Sequence, residues 1–308
     1  MVIGTHGRHR DMVRHRTVEV AGIRIFYREA GSQDAPAVLL LHGFPSSSHQ
    51  FRFLLLALAD RYHVLAPDFP GFGFSACPNT AEYAYIFTHY ADTIEAFTRK
   101  FELDRYALYV HDYEAQVGFR LALRSPDRIK ALVIQNSEAL RMAALRPSQQ
   151  WRTSGVILRL KSEKYCDENS LQKEGIRSEF VEQLSPETVE LIDPGTISLA
   201  WSQISRPGVI DALLDLHLDY RTNVALYSKF HSYFRQYNPP TLIIWGRQDQ
   251  YCTPAAATAY TRDLPDAEIC IIEGGHWAVE SHGPHVIQLT REFLDRHCYS
   301  PTANLSAA

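Results

Sequence analysis

Two hydrophobic rhythms alternate along this chain. Short continuous apolar runs bounded by turn residues read as strands buried on both faces. Longer stretches with apolar residues every three or four positions read as amphipathic helices. Thr17 to Val20 and Ile23 to Tyr27 alternate apolar with polar around Ala21-Gly22, a hairpin pattern. Ala37-Val38-Leu39-Leu40-Leu41 is continuously apolar, and the serines after His42-Gly43-Phe44-Pro45 can cap a helix from about His49 to Asp60. His63 to Pro67 predicts a strand and Tyr83 to Phe101 a helix. Tyr106 to Val110 predicts a strand that turns at once into a helix carrying Ala115, Gly118, Phe119 and Ala122 on one side, and Ile129 to Gln135 predicts the next strand.

From Asn136 to Asn238 the pattern changes to helix-like stretches broken by Pro147, Pro186, Pro194 and Pro207, a span too long for a simple connection. Alternation then returns: Thr241 to Trp245 and Glu268 to Ile272 as strands, Pro254 to Asp263 and His285 to His297 as helices. Strand–helix alternation on both sides of a helical insertion predicts an α/β fold: a mostly parallel sheet with helices on both faces and an inserted helical cap. The expected division is a basic mobile tail over 1–16, a core over 17–136 and 239–298, a helical cap over 137–238 and a loose tail over 299–308. A cap in that place would roof the carboxyl ends of the strands, where such sheets bind ligands.

Composition narrows the function classes. The chain of 308 residues is 45% hydrophobic and 21% charged, with a formal net charge of −4, so a nucleic-acid partner is not expected. No apolar run reaches the length of a membrane span. The N-terminus is rich in Arg and His but lacks the apolar centre of a secretory signal, so the expected location is cytoplasmic, with an organelle-targeting N-terminus left open. Five cysteines, Cys77, Cys166, Cys252, Cys270 and Cys298, show neither metal-ligand nor disulfide-framework spacing, which suits a reducing compartment and predicts no metal. Monomer and homodimer are both compatible with the sequence.

The candidate chemistry lies just past three strand ends. Asp112 follows the Tyr106 to Val110 run at a strand-to-helix turn, where backbone N–H groups favour negative charge. Asp249 follows Trp245-Gly246, and His276 follows Glu273-Gly274-Gly275. Nucleophile, acid and histidine in that order match hydrolases built on such a sheet. With His42-Gly43-Phe44-Pro45, Asp68-Phe69-Pro70-Gly71-Phe72-Gly73 and His111-Asp112-Tyr113, the chain resembles the α/β-hydrolase fold family, in its branch with an aspartate nucleophile: epoxide hydrolases and haloalkane or haloacetate dehalogenases. The resemblance runs from Thr17 to Arg296.

The resemblance implies that Asp112 attacks an sp³ carbon to form an alkyl ester. His276, oriented by Asp249, would then activate water to hydrolyse it. The backbone N–H groups of Phe44 and Tyr113 are the implied oxyanion donors. Tyr113 stands where haloalkane dehalogenases place a halide-binding Trp, and Tyr113 and Gln116 stand where haloacetate dehalogenases place arginines. Epoxide hydrolases instead need a cap phenol, and Asp219-Tyr220-Arg221 supplies Tyr220. The expected function is therefore cofactor-free epoxide hydrolysis of a small apolar-to-amphipathic organic substrate. The alternatives are a dehalogenase, a rearranging or cyclising enzyme of secondary metabolism, and a non-catalytic binder. His42, His111, Glu114, Trp201 and Trp277 are the candidate pocket residues. Glu114 departs from the resemblance: two positions after the nucleophile the family places a small residue. It reads either as an outward carboxylate complementing the helix dipole or as a second carboxylate beside Asp112.

Overall fold

The computed structural model describes residues 12–112, 114–139 and 171–299. Eight strands form one sheet: β1 Arg14–Val20, β2 Ile23–Ala30, β3 Ala37–Leu41, β4 His63–Pro67, β5 Tyr106–His111, β6 Ile129–Gln135, β7 Thr241–Gly246 and β8 Glu268–Ile272. Their order across the sheet is β1-β2-β4-β3-β5-β6-β7-β8. The pairs β1/β2 and β2/β4 are antiparallel and all others parallel. This is the mostly parallel sheet that the resemblance implies, with β2 alone running against the other strands. The hairpin turn at Ala21-Gly22 has positive φ at both residues, 52° and 78°, as the right-handed twist of a two-residue hairpin requires.

The period-two rule divides the sheet's apolar residues into two clusters. Leu39, Leu41, Leu108, Val110, Leu132 and Ile134 point to one face, and Val38, Leu40, Ala107, Tyr109, Ala131 and Val133 to the other. Helices cover both faces. On the first lie α2 Phe87–Lys100 and α3 Ala115–Arg124, and on the second α1 Arg52–Leu58. The insertion after β6 contributes α4 Lys173–Val181, α5 Pro186–Val189, α6 Pro194–Ile204, α7 Val209–Asp219 and α8 Arg221–Tyr237, and the buried faces of all but the short α5 join the first cluster. The chain then returns through α9 Pro254–Ala259, α10 Ala278–Ser281 and α11 Gly283–His297, with α11 packed on the second face. No described helix is long and apolar enough to cross a membrane.

Several boundaries differ from expectation, among them the end of α9 at Ala259 and the start of α11 at Gly283. β1 starts at Arg14, inside the stretch read as a tail, because its edge position lets exposed polar residues join the ladder. The helix expected from Tyr83 starts at Phe87, since Tyr83 and Tyr85 pack edge to face in the preceding loop. The helix expected from His49 opens as a 3-10 turn, Ser48–Phe51, before α1 begins at Arg52.

Register lines up the strand ends. Leu41 pairs with Val110, His111 with Gln135, Gln135 with Ile244, and Gly246 with Ile272. The residues just beyond β3, β5, β6, β7 and β8 therefore emerge along one edge of the sheet. Close approach of β5 and α3 holds that edge: a Cβ added at Gly118 would sit 2.4 Å from Val110 Cγ1. Helix propensity alone favours Ala over Gly by about 1 kcal/mol. Overpacking a buried contact costs about 1–3 kcal/mol. Gly118→Ala is thus expected to lower the midpoint of thermal unfolding despite its better propensity; a raised midpoint would show that the contact relaxes freely.

Candidate active site

β5 ends at His111, and the chain turns through Asp112 at φ 57°, a left-handed conformation that Asp and Asn adopt more readily than other non-glycine residues. The turn projects the Asp112 carboxyl between two neighbours. Its Oδ1 lies 3.1 Å from His276 Nε2, and its Oδ2 accepts the Phe44 N–H at 3.1 Å. Phe44 can come this close because position 43 is glycine: a Cβ there would sit 2.6 Å from Asp112 Cβ. Ser137, beyond β6, donates its hydroxyl to the Asp112 carbonyl at 2.6 Å and fastens the turn to the neighbouring strand end.

His276 Nδ1 lies 2.9 Å from Asp249 Oδ2. Asp249 is held by donors from two strand ends. Asn136 Nδ2 donates to Oδ2 at 2.7 Å, and the backbone N–H groups of Tyr251 and Cys252 donate to Oδ1 at 2.7 and 2.9 Å. Burial works against a charged His276, but the carboxylates of Asp249 and Asp112 on either side outweigh it and raise its pKa to about 10. At neutral pH the ring is an imidazolium bridging two carboxylates.

Two further histidines brace this arrangement. His111 is fully buried. Its Nε2 faces the His276 carbonyl at 3.0 Å, and its Nδ1 lies 3.3 Å from Gln50 Nε2. Burial, with the charge on His276, lowers its pKa to about 3. Neutral, with Gln50 donating to Nδ1, His111 donates from Nε2 and ties the His276 loop to β5. His42 is also held neutral by burial, with a pKa lowered to about 3. Its Nε2 accepts the Phe69 N–H at 3.2 Å, and its Nδ1 lies 3.3 Å from the Gly43 carbonyl. Both rings thus direct both nitrogens at protein groups. Trp277 is buried edge-on against His111, with Phe180 from α4 tilted over it at 4.5 Å between ring centroids.

Glu114 does not point outward. It is fully buried, and its Oε2 accepts the Phe44 N–H at 2.9 Å, the donor that also reaches Asp112. Its Oε1 has no hydrogen-bond partner. Burial, reinforced by the charge of Asp112, raises its pKa well above the usual carboxylate value. The outward reading fails because Glu114 sits where α3 presses against the sheet edge.

Of the candidate residues, Asp112, His276, Asp249, Phe44, Glu114, His111 and Trp277 therefore meet at one place. Tyr220 and Trp201 belong to the cap helices. Tyr220 stands at the α7–α8 junction, its hydroxyl 3.0 Å from that of Tyr227 and its ring against Phe87, and Trp201 is half-buried on α6. That junction is tied to α3: Arg120 donates to Asn223 Oδ1 at 2.6 Å and to Thr222 Oγ1 at 3.0 Å. Tyr113, the second expected oxyanion donor, lies outside the described residues. The sequence reading missed Asn136, although it falls just past an apolar run as Asp112 does. It also left Tyr227 unpaired with Tyr220, although a spacing of seven places both on one helical face. Among the described residues, Asp249, Cys252 and His276 bring metal-ligand atoms within 4.8 Å of one another. The Asp249 oxygens are already taken by the His276 ring and three other donors, so a metal there would have to break the dyad.

A neutral buried Glu114 makes stability depend on pH. Its folded pKa exceeds the unfolded value of 4.5, so the unfolded chain releases the proton first and the fold loses stability as pH rises above 4.5. Glu114→Gln removes this penalty while keeping the acceptor for Phe44. The variant is expected to match the parent near pH 4 and to melt progressively higher towards pH 8, by about 2–4 °C per kcal/mol relieved. A constant difference across that range would place the carboxyl in its ionised form.

The comparisons with known proteins bear on the family and the fold. The family described as alpha/beta hydrolase fold matches residues 36–283. An uncharacterized hydrolase of Saccharomyces cerevisiae is 32% identical over 296 residues, covering 91% of this chain and 95% of the relative. Epoxide hydrolase 2 of Caenorhabditis elegans is 26% identical over 310 residues, covering 94% of this chain and 82% of the relative. Among solved structures, a haloalkane dehalogenase from Agrobacterium tumefaciens superimposes with a TM-score of 0.76 at 22% identity, covering 94% of this chain and 98% of that one.

Proposed function

The chain belongs to the alpha/beta hydrolase fold family, and from that premise we propose that it is a cofactor-free epoxide hydrolase working through an alkyl ester of Asp112. The observation that carries the reading is the bridging imidazolium, 3.1 Å from Asp112 Oδ1 and 2.9 Å from Asp249 Oδ2, with a carboxylate rather than a hydroxyl at the elbow. A carboxylate nucleophile displaces a leaving group from saturated carbon and needs no general base to become reactive.

Asp112 Oδ1 attacks an epoxide carbon and the C–O bond opens. The departing alkoxide takes a proton from a cap phenol, a role for which the Tyr220–Tyr227 pair is suited: the second hydroxyl stabilises the phenolate left on the first. Protonation of the phenolate then draws on His276. Once Asp112 is an ester its charge is gone, one of the two carboxylates that held the imidazolium no longer does so, and the ring becomes a base. Neutral His276 takes a proton from water, the hydroxide adds to the Asp112 carbonyl carbon, and collapse releases the diol and restores the carboxylate. A second reading, halide displacement at the same Asp112, has one observation in its favour: the Trp277 Nε1–H beside His276 is buried without an acceptor, as a halide-binding donor would be.

His276→Ala forms the ester and cannot hydrolyse it. Intact-protein mass spectrometry of this variant with styrene oxide, 1,2-epoxyhexane and 1-bromohexane is expected to show a gain equal to the whole epoxide, absent in the Asp112→Ala double variant. Steady-state turnover should fall by about 10²–10⁴. A gain of the alkyl group alone, with free bromide, would replace the epoxide reading by the halide one. No adduct with any of the three sinks covalent catalysis by Asp112.

A further inference from the structure

The proposed cycle leaves one buried group beside the nucleophile without a role. Glu114 Oε2 and Asp112 Oδ2 converge on a single donor, the Phe44 N–H, at 2.9 and 3.1 Å, which brings the two carboxyl groups side by side. Two carboxyl groups can share a hydrogen bond only when one of them carries a proton. Asp112 faces the His276 ring through its other oxygen, which favours its ionised form. Among the described residues Glu114 faces no cation, and its Oε1 is buried without a partner. An orphaned oxygen costs far less on a neutral carboxyl than on a carboxylate. The proton therefore resides on Glu114.

The placement matters because Asp112 Oδ2 is the oxygen that becomes the oxyanion. When Oδ1 forms the ester bond, Oδ2 remains as the carbonyl oxygen, and attack of water at the carboxyl carbon puts the negative charge there. We propose that Glu114 is a catalytic hydrogen-bond donor: a neutral carboxylic acid whose O–H, with the Phe44 N–H, stabilises the oxyanion on Asp112 Oδ2 while the alkyl ester breaks down. This rests on the covalent reading above. In the step, His276 Nε2 takes one proton from water, and the hydroxide oxygen bonds to the Asp112 carbonyl carbon. The pair of electrons displaced onto Oδ2 is held by the Phe44 N–H and the Glu114 O–H. Collapse returns that pair to the carbonyl and expels the product alkoxide, which takes its proton from the His276 imidazolium; the acid proton left on Asp112 then passes to His276 Nε2 and restores the carboxylate–imidazolium pair. Glu114 begins and ends the cycle protonated. Hydrogen-bonding to the same oxygen in the resting enzyme draws electron density from the nucleophile, so the donor favours breakdown of the ester at some cost to its formation.

Those two halves respond in opposite directions when Glu114 is removed. Rapid-quench mass spectrometry of the full-length protein follows ester formation and decay separately, with whichever of styrene oxide, 1,2-epoxyhexane and 1-bromohexane loads His276→Ala most fully. In Glu114→Gly, which restores a small residue at this position, ester decay is expected to slow by about 10²–10³, the loss typical of one oxyanion donor, so the ester accumulates. Formation is expected to be unchanged or faster. Glu114→Gln, whose amide N–H can donate to Oδ2, is expected to decay within about tenfold of the parent. Parental decay should fail at alkaline pH as Glu114 ionises, and that limb should vanish in Glu114→Gln. If His276→Ala accumulates ester while Glu114→Gly decays at the parental rate, the donor role is wrong and the covalent reading stands. Equally slow decay in Glu114→Gln and Glu114→Gly, with the alkaline limb retained, likewise removes the donor role. If no variant, His276→Ala included, acquires an adduct, the covalent reading fails and the donor falls with it.

Discussion

The left-handed turn at Asp112 is the constraint on which the site depends. A buried strand enters it and a buried helix leaves it, and the strand and helix touch at Val110 and Gly118. An L-residue in this conformation costs about 1–2 kcal/mol, offset where the surroundings over-determine it. Here they do so from three sides. Gly43 admits the Phe44 loop against Asp112, Ser137 bonds the Asp112 carbonyl, and the Asp112 carboxyl itself is claimed by His276 and Phe44. Strand register then brings Asn136, Asp249 and His276 to the same edge without any long side chain reaching across the molecule.

Most of the sheet was legible because β3 to β7 are almost wholly buried and appear as nearly continuous apolar runs; β8, at the edge, is only half-buried yet keeps the apolar run Ile269 to Ile272. The helical cap was legible only as an interruption, since helices that pack on one another and on the core lack the sharp boundaries of buried strands. β1 was legible in its second half alone, because Arg14 to Arg16 pair through backbone and expose their side chains. Asp112, Asp249 and His276 stood out because titratable residues directly beyond apolar runs are chemically conspicuous. Asn136 occupies an equivalent place and went unseen because an amide carries no charge chemistry of its own; its function lies wholly in the bond it donates to Asp249. The partnership of Tyr220 with Tyr227 depends on α8 beginning in helical conformation at Tyr220, a boundary that sequence spacing suggests and does not decide.

Glu114 shows why a single departure from a family pattern needs three dimensions to interpret. From sequence, a carboxylate in the first turn of a helix is an ordinary complement to the dipole. In the fold that position faces inward, where strand, helix and the Phe44 loop converge, so the side chain has no route to solvent. What changes its meaning is the direction of the side chain, which depends on the Asp112 turn and on nothing within Glu114 itself.

The charge in the site explains how such a residue can be accommodated. In the proposed cycle, with Glu114 neutral, the resting site holds Asp112 and Asp249 as anions against one His276 cation, a net of one negative charge. After Asp112 becomes an ester and His276 gives up its proton, Asp249 alone remains charged, again one negative charge. The buried net charge is therefore the same before and after alkylation, so the large cost of changing charge in a poorly solvated interior is avoided at that step. An ionised Glu114 would add a second negative charge to both states with no cation facing it, and its place on the same N–H as Asp112 would set the two anions directly against each other. The proton on Glu114 keeps the buried charge low while leaving a donor next to Asp112 Oδ2, the oxygen on which the tetrahedral oxyanion of the proposed cycle forms.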